Sequence, residues 1–478
     1  NFFDEKENNK NSKQPINKKK FKLIIIYTLI AIVGLLFFIT FKKKSTYNYQ
    51  FSHLNDYSYM DATGAGIYTH QQLKEQKQLL KKNFFCNTHS NSQCSRNTEQ
   101  MLLNTRINVL KMLNADPNYY QVVFTKSTTH SLNIIANSLD GGHLSVHKYS
   151  HTSVIGMRSS FDRYDVIDNF SNVQTEKINY NIDDQLGKNK IQYRKTQKFN
   201  LLAFPAKDNF LGIEQNLSMI NQIDYFGYND EQTLTLLDAA AYLPQKNLNL
   251  SQIFPHFVVF SAYKLFGLPT SVGVLVIRQD IYPSLNKQFF GGGTTTMVNL
   301  YNKHNQNFKL NYERFEDGTV DFLGVAVFNV QLQNRLKNGI KSVQGKIVQL
   351  LNNEMAGLKH KNGQSLVELY SDPQSGIFSF NLKHNNGSYI GYSVVQKELD
   401  NQKITARTGC VCNPGACYEV LNISQELVEK LIDLKRSCNE DYDFEGDKPL
   451  GVVRISLGYW NNERDVRRAI KALKRFID

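Results

Sequence analysis

Three groups of residues, in fixed order along the chain, carry the chemistry needed to hold a flat, anionic, electron-withdrawing ring. Asp238 closes the apolar run LTLLD at residues 234–238 and opens DAAA, a place where a buried carboxylate requires a cationic partner. Lys264 follows the apolar run FVVFS in SAYKLFG, and a lysine entering an enclosed site has a lowered pKa and can form a Schiff base. Residues 125–129 read TKSTT between a strand-like and a helix-like run, where hydroxyls and backbone N–H groups at a helix start can hold a phosphate. Together they argue for pyridoxal 5′-phosphate, with Asp238 opposite a protonated pyridine nitrogen so that the ring becomes an electron sink. Each alone has a plainer reading: Asp238 as a cap or structural ion pair, Lys264 as a solvated lysine, and TKSTT, which lacks the usual glycine, as an ordinary helix N-cap.

A second grouping is sulfur. Cys410, Cys412 and Cys417 stand in a C-x-C-x4-C spacing that invites a metal reading, yet a tetrahedral zinc site needs a fourth ligand and no second cysteine pair or nearby histidine supplies it. A thiolate is favoured by a cationic neighbour, and Arg407 lies five residues before Cys412. The remaining cysteines are Cys86, Cys94 and Cys438; six in a chain of 478 residues are too sparse for a disulfide scaffold, and a reducing compartment is expected.

The elements that must position these groups alternate as in an α/β domain. Buried strands are expected at residues 121–125, 234–238, Phe257–Ser261 and Gly273–Arg278, each of the first three ending in a polar residue, where open α/β sheets place ligands. Residues 325–358 read as mainly helical, leading to a second domain with strands at 377–382 and 452–457 and an amphipathic helix near 465–477. Composition allows a large core, with 41% hydrophobic residues. The net charge of +13 is no nucleic-acid footprint, because residues 1–44 hold ten lysines against three acids and the remaining +6 is spread over the rest. Residues 1–22 read as a basic, disordered tail. Residues 23–41 run for 19 positions without a charge between lysine clusters, about the length of one transmembrane helix, and the sequence offers no small-residue cleavage site for a signal peptide. The expected organisation is therefore a tail (1–22), a transmembrane helix (23–41), a connector (42–58), a large cofactor domain (59–340) and a helical connection with a small α+β domain (341–478). Seven lysines precede the span and three closely follow it, which biases the body away from the cytosol, whereas persulfide chemistry at Cys412 suits a reducing cytosol; a single-pass protein with a cytosolic body is the expectation.

The motifs YMDATGAG (59–66), HTSVIGMR (151–158), LLAFPAKDNF (201–210), LLDAAAY (236–242), SAYKLFGLPT (261–270), FGGGTTT (290–296), FEDGTVDFL (315–323), RTGCVCNPGAC (407–417) and VRISLGYWNN (453–462) resemble the class V aminotransferase superfamily of fold-type I pyridoxal-phosphate enzymes. Within it they resemble the cysteine-desulfurase-like domain of molybdenum cofactor sulfurases. RTGCVCNPGAC is the most specific, and R-T-G-x-x-C also resembles the nucleophile segment of bacterial cysteine desulfurases, with Cys412 in its place. The resemblance implies that Lys264 carries the cofactor, Asp238 meets the pyridine nitrogen, His151 stacks on the ring and Asn209 bonds its phenolic oxygen. It implies a phosphate site from Thr128, Thr129, Ser261 and Tyr263, with Thr319 reaching the phosphate of a second subunit in a homodimer. It further implies that Arg454, with Arg407 nearby, holds the carboxylate of L-cysteine, and that sulfur passes from Cys412 to molybdenum cofactor or a carrier of it. Three positions depart from the pattern: Lys126-Ser127 for Ser-Gly, Ala62 for a His or Tyr, and Ala241 for a Gln near the ring. The sequence ends at Asp478 with the desulfurase-like part, which leaves the acceptor open. The alternatives are a general cysteine desulfurase or selenocysteine lyase, and a membrane-tethered binding protein without catalysis.

Overall fold

Every residue of the strands Thr233–Asp238, Phe257–Ser261 and Gly273–Arg278 is buried, the pattern of strands covered on both faces. They form the middle of a seven-stranded sheet in the order Tyr120–Thr125, Gly273–Arg278, Phe257–Ser261, Thr233–Asp238, Asn200–Pro205, His143–His147, Arg163–Ile167. All pairings from Phe257–Ser261 to Arg163–Ile167 are parallel, and Gly273–Arg278 runs antiparallel to both its neighbours. One face is covered by the long helices Gln93–Met112 and Phe322–Asn338, which also pack on each other through residues such as Val109 and Phe328. The other is covered by Thr128–Ala136 through Leu132 and Ile135.

The structure, a computed structural model, describes residues 27–29, 32, 49–139, 141–170, 198–226, 233–302, 306–435 and 442–478. They belong to two units, Asn1–Asn55 and Asp56–Asp478. The apolar run 23–41 lies outside the described residues except for Tyr27, Thr28, Leu29 and Ile32, which are helical. Among the described residues no helix is long and apolar enough to cross a membrane.

Within the second unit a smaller antiparallel sheet runs Val367–Leu369, Ile377–Lys383, Val452–Ser456, Arg407–Gly409, with Tyr389–Ile390 also paired to Ile377–Lys383. Helices Gly345–Ala356, Tyr392–Asn401 and Glu463–Leu473 bury their apolar faces on it. The last helix starts with a reciprocal cap between Asn462 and Asp465, which satisfies two backbone donors at its N-terminus.

The chain crosses between the two sheets early. Ser58–Tyr59 pairs with Ile404–Thr405 in a separate two-stranded sheet, and Asp61 makes an isolated bridge to Ser456 of the C-terminal sheet. The following loop then reaches the turn that bears Lys264: Gly66 N donates to Tyr263 O at 3.1 Å. A Cβ on Gly66 would lie 2.9 Å from Gly267 N, so the approach requires glycine. Gly267 itself, at φ 78°, ends the short helix Ala262–Phe266 in the left-handed region.

Candidate active site

The parallel strands Asn200–Pro205, Thr233–Asp238 and Phe257–Ser261 end side by side, with Asp238 in register with Pro205 and Val259. Asp238 Oδ1 accepts from Ala240 N at 2.9 Å, and no partner is seen for Oδ2 among the described residues, so one carboxylate oxygen remains open to a cation. Lys264 follows Ser261 on the helix Ala262–Phe266. Burial pushes its ammonium below the ordinary lysine value; Asp238 opposes the shift most, Arg454 and Arg407 reinforce it, and Asp61 opposes it. His151 senses Asp238, Lys264, Arg407 and Arg454, and burial lowers its pKa, which keeps the ring neutral and suited to stacking on a flat ring.

Arg454, 1% exposed, reaches the cluster from Val452–Ser456. Its Nη2 meets Asp61 Oδ1 at 2.6 Å and its Nη1 donates to Asn209 O at 2.9 Å, while Nε has no partner among the described residues. Asp61 was missed in the sequence. Its only signal was an acid between buried Met60 and the glycine-bearing turn, and its partner is 393 residues away. Arg407 Nη2 lies 3.8 Å from Cys412 Sγ, so the expected cation beside the thiol is in place.

Cys412 is the free cysteine among the described residues. Cys410 is disulfide-bonded to Cys417 and Cys86 to Cys94. Cysteines too sparse for a disulfide scaffold are thus paired all the same: both bridges are local, seven and eight residues apart, and a count of cysteines does not sense proximity. The pairing also removes two of the sulfurs a zinc site would need. Val411 and Cys412 both take positive φ, 44° and 59°, a strained pair that surroundings must hold at roughly 1–3 kcal/mol each. They do so through three contacts. Thr152 N donates to Cys412 O at 2.9 Å, Asn209 Nδ2 donates to Val411 O at 2.7 Å, and Asn413 N donates to Cys410 O at 2.9 Å. Asn209 Oδ1 in turn accepts from Asn413 Nδ2 at 3.1 Å. Expected at the ring's phenolic oxygen, Asn209 is engaged here in supporting the Cys412 turn, and Asn413 joins it as a second residue that sequence reasoning passed over.

Around the expected phosphate site, Thr128 N and Oγ1 lie 3.0 and 2.6 Å from Ser261 Oγ, and Thr129 Oγ1 lies 2.8 Å from Ser153 Oγ beside His151. Ser127 caps Thr128–Ala136 by accepting from His130 N, at an extended φ of −170°; the loop therefore has no need of the glycine it lacks. Tyr263 lies two residues after Ser261, and burial raises its pKa, with Arg407 opposing the shift. Thr319 is not brought to this cluster: it is exposed and accepts from Asn87 Nδ2 at 3.4 Å. The donor set fits pyridoxal phosphate: an open oxygen of Asp238 for the ring nitrogen, a buried amine, a neutral imidazole, and hydroxyls at a helix start for the phosphate. Among the described residues no cluster of His, Cys, Asp and Glu could hold a metal ion.

Two results are expected from this geometry. Asp61→Ala leaves the Arg454 charge buried with one carbonyl partner, so urea unfolding should show a loss of about 3 kcal/mol. An unchanged midpoint would mean that the pair is not held in solution. Second, burial favours the neutral Lys264 amine. The rate of cofactor loading, followed by visible absorbance, should therefore rise with pH through a midpoint below the ordinary lysine value of about 10.4. Because Asp238 holds the proton on, Asp238→Asn should move that midpoint lower; a rise would contradict the assignment of signs.

Residues 58–469 match the family pattern described as Aminotransferase class-V. Among curated proteins, the chain is 32% identical to "Molybdenum cofactor sulfurase 3" of Aedes aegypti over 444 residues, 87% of this chain and 56% of that protein. It is 29% identical to "Molybdenum cofactor sulfurase" of Bombyx mori over 472 residues, 89% of this chain and 56% of that protein. It thus spans somewhat more than half the length of these relatives. Among solved structures, the apo cysteine desulfurase of Thermococcus onnurineus NA1 superposes with a TM-score of 0.65 at 20% identity, covering 88% of this chain and 95% of that one. The cystine C-S lyase C-DES in complex with its reaction product cysteine persulfide does so with a TM-score of 0.63 at 17% identity, covering 90% of this chain and 100% of that one. These likenesses establish the fold-type I α/β architecture. With the family pattern spanning both sheets and every element that carries Asp238, Lys264, Cys412 and Arg454, the chain belongs to the class-V aminotransferase family.

Proposed function

We propose that this chain is a pyridoxal-phosphate-dependent sulfurtransferase that takes sulfur from L-cysteine onto Cys412, releases alanine and delivers the sulfur to molybdenum cofactor. The observation that carries the reading is the free, half-buried Cys412 beside Arg407, on a strained turn tied to the His151 loop and to Asn209, whose backbone oxygen accepts from Arg454. Bound pyridoxal phosphate supplies an electron sink that permits ionisation at the α-carbon of an amino acid. Lys264 would hold the cofactor and, once displaced, take the α-proton. Arg454 would orient the substrate carboxylate, with its Nε still unpaired. The Cys412 thiolate would attack the substrate sulfur: an S–S bond forms, the Cβ–S bond breaks with its electron pair left on carbon, and a proton on that carbon together with the return of a proton from Lys264 to the α-carbon gives alanine.

Delivery to molybdenum cofactor is favoured over other acceptors by the likeness to molybdenum cofactor sulfurases. The test is activation of a molybdenum hydroxylase that needs a sulfido ligand: alanine release without activation would leave a general cysteine desulfurase. The apolar run 23–41 supports a membrane tether, and the need to deliver a persulfide supports a cytosolic body. The seven-to-three lysine count and the two disulfides favour the opposite side, so protection of the body from protease in sealed microsomes would reverse this placement. A homodimer is proposed on the resemblance alone, with Thr319 facing the second copy.

A further inference from the structure

Asp208 lies just beyond the strand Asn200–Pro205 and is fully buried. Its carboxylate closes the turn that follows it. Oδ1 accepts from Phe210 N at 2.8 Å and Leu211 N at 2.6 Å, and Oδ2 accepts from Ile213 N at 2.7 Å. Asp208 N in turn donates to Ile213 O at 3.0 Å. Burial pushes the pKa of Asp208 up to about 6 against the pull of the turn's N–H groups. The group is therefore ionised at neutral pH, and an ionised acceptor makes the stronger hydrogen bond.

The turn that Asp208 closes touches both halves of the site. On one side, Asn209 Nδ2 donates to Val411 O and Asn209 Oδ1 accepts from Asn413 Nδ2, which holds the Cys412 turn. On the other, Asn209 O accepts from Arg454 Nη1, and Phe210 O accepts from Ser379 Oγ at 2.6 Å. Ser379 and Arg454 stand opposite each other on adjacent strands of the smaller sheet. We propose that Asp208 is a positioning residue for sulfur transfer: by closing the turn 208–213 it fixes the spacing between Arg454 and Cys412, which act on the two ends of one L-cysteine. The inference rests on Arg454 holding the substrate carboxylate and Cys412 taking the sulfur. Only two carbons join that carboxylate to that sulfur, so a small change of spacing takes the sulfur out of line with the thiolate. Asparagine at 208 keeps an oxygen for Phe210 N and Leu211 N but turns an NH2 group against Ile213 N, donor to donor.

The experiment uses cofactor-loaded wild type, Asp208→Asn, Asn209→Ala and the double variant, and measures KM for L-cysteine and the single-turnover rate of persulfide formation at Cys412. Asp208→Asn is expected to keep the cofactor absorbance and to raise KM about tenfold, as Arg454 shifts. Persulfide formation should slow by about 10²-fold, the scale of a misplacement of about 1 Å. Asn209→Ala should slow persulfide formation alone, because the backbone oxygen that meets Arg454 remains. In the double variant persulfide formation should be no slower than in the slower single variant, since Asp208 acts on the Cys412 turn through Asn209, while KM still rises. Slowing that multiplies in the double variant, or wild-type rate and KM in Asp208→Asn, would overturn the proposal. If Asp208→Asn does not fold, Asp208→Ser takes its place with the same expected pattern, its hydroxyl still able to accept from the N–H two residues on. A wild-type protein that forms no persulfide at Cys412 would instead sink the reading on which the proposal rests.

Discussion

Lys264→Ala is expected to fold with a thermal midpoint close to the wild type's and to lose L-cysteine turnover by at least about 10³-fold. The amine is borne by the middle residue of the five-residue helix Ala262–Phe266, and its cationic form is disfavoured by burial, so truncating it removes no ion pair that the core depends on. What disappears is the covalent hold on the cofactor and the base at the α-carbon. Borohydride should bleach the visible band and fix the cofactor irreversibly to the wild-type chain and not to the variant. A variant that still retained reducible cofactor would show that another amine serves, and Lys207, buried with Gln245 and Ser375, would be the next to test.

The second large effect is expected at Cys412. Serine preserves the size and the positive-φ turn but cannot carry a persulfide. Cys412→Ser should therefore keep the cofactor spectrum and the spectral response to L-cysteine while sulfur delivery falls by more than about 10²-fold, the scale set by loss of a nucleophile. Cys410→Ser and Cys417→Ser act differently. Each opens the bridge that brackets the turn, so delivery should fall less and by way of Cys412 positioning. Equal loss in all three would indicate that the bridge, rather than the Cys412 thiol, is what the chemistry requires.

Strands buried on both faces were legible in the sequence because they are short runs without polar interruption: Phe257–Ser261 and Gly273–Arg278 stand where the sequence placed them, and Thr233–Asp238 begins one residue earlier. Edge and polar strands were not. His143–His147 and Arg163–Ile167 carry His, Ser, Arg and Asp among their apolar residues, and Arg407–Gly409 is too short to show a period. At the site, Asp238 and Lys264 were legible because a strand end dictates where a side chain goes. The Asp61–Arg454 pair was not, since it depends on how the N-terminal loop crosses to the second sheet, and neither was the support of the Cys412 turn by Asn209 and Asn413, which is built from contacts between distant loops.

The central claim is that Cys412 receives sulfur from L-cysteine. The most direct measurement is mass spectrometry of the cofactor-loaded protein after a single exposure to L-cysteine, with alkylation to trap persulfides and peptide mapping of every cysteine. One added sulfur on the peptide at Cys412, stoichiometric with alanine released, is the predicted result. Persulfide on Cys410 or Cys417 with Cys412 unmodified, or alanine formed with no sulfur on any cysteine, would contradict it.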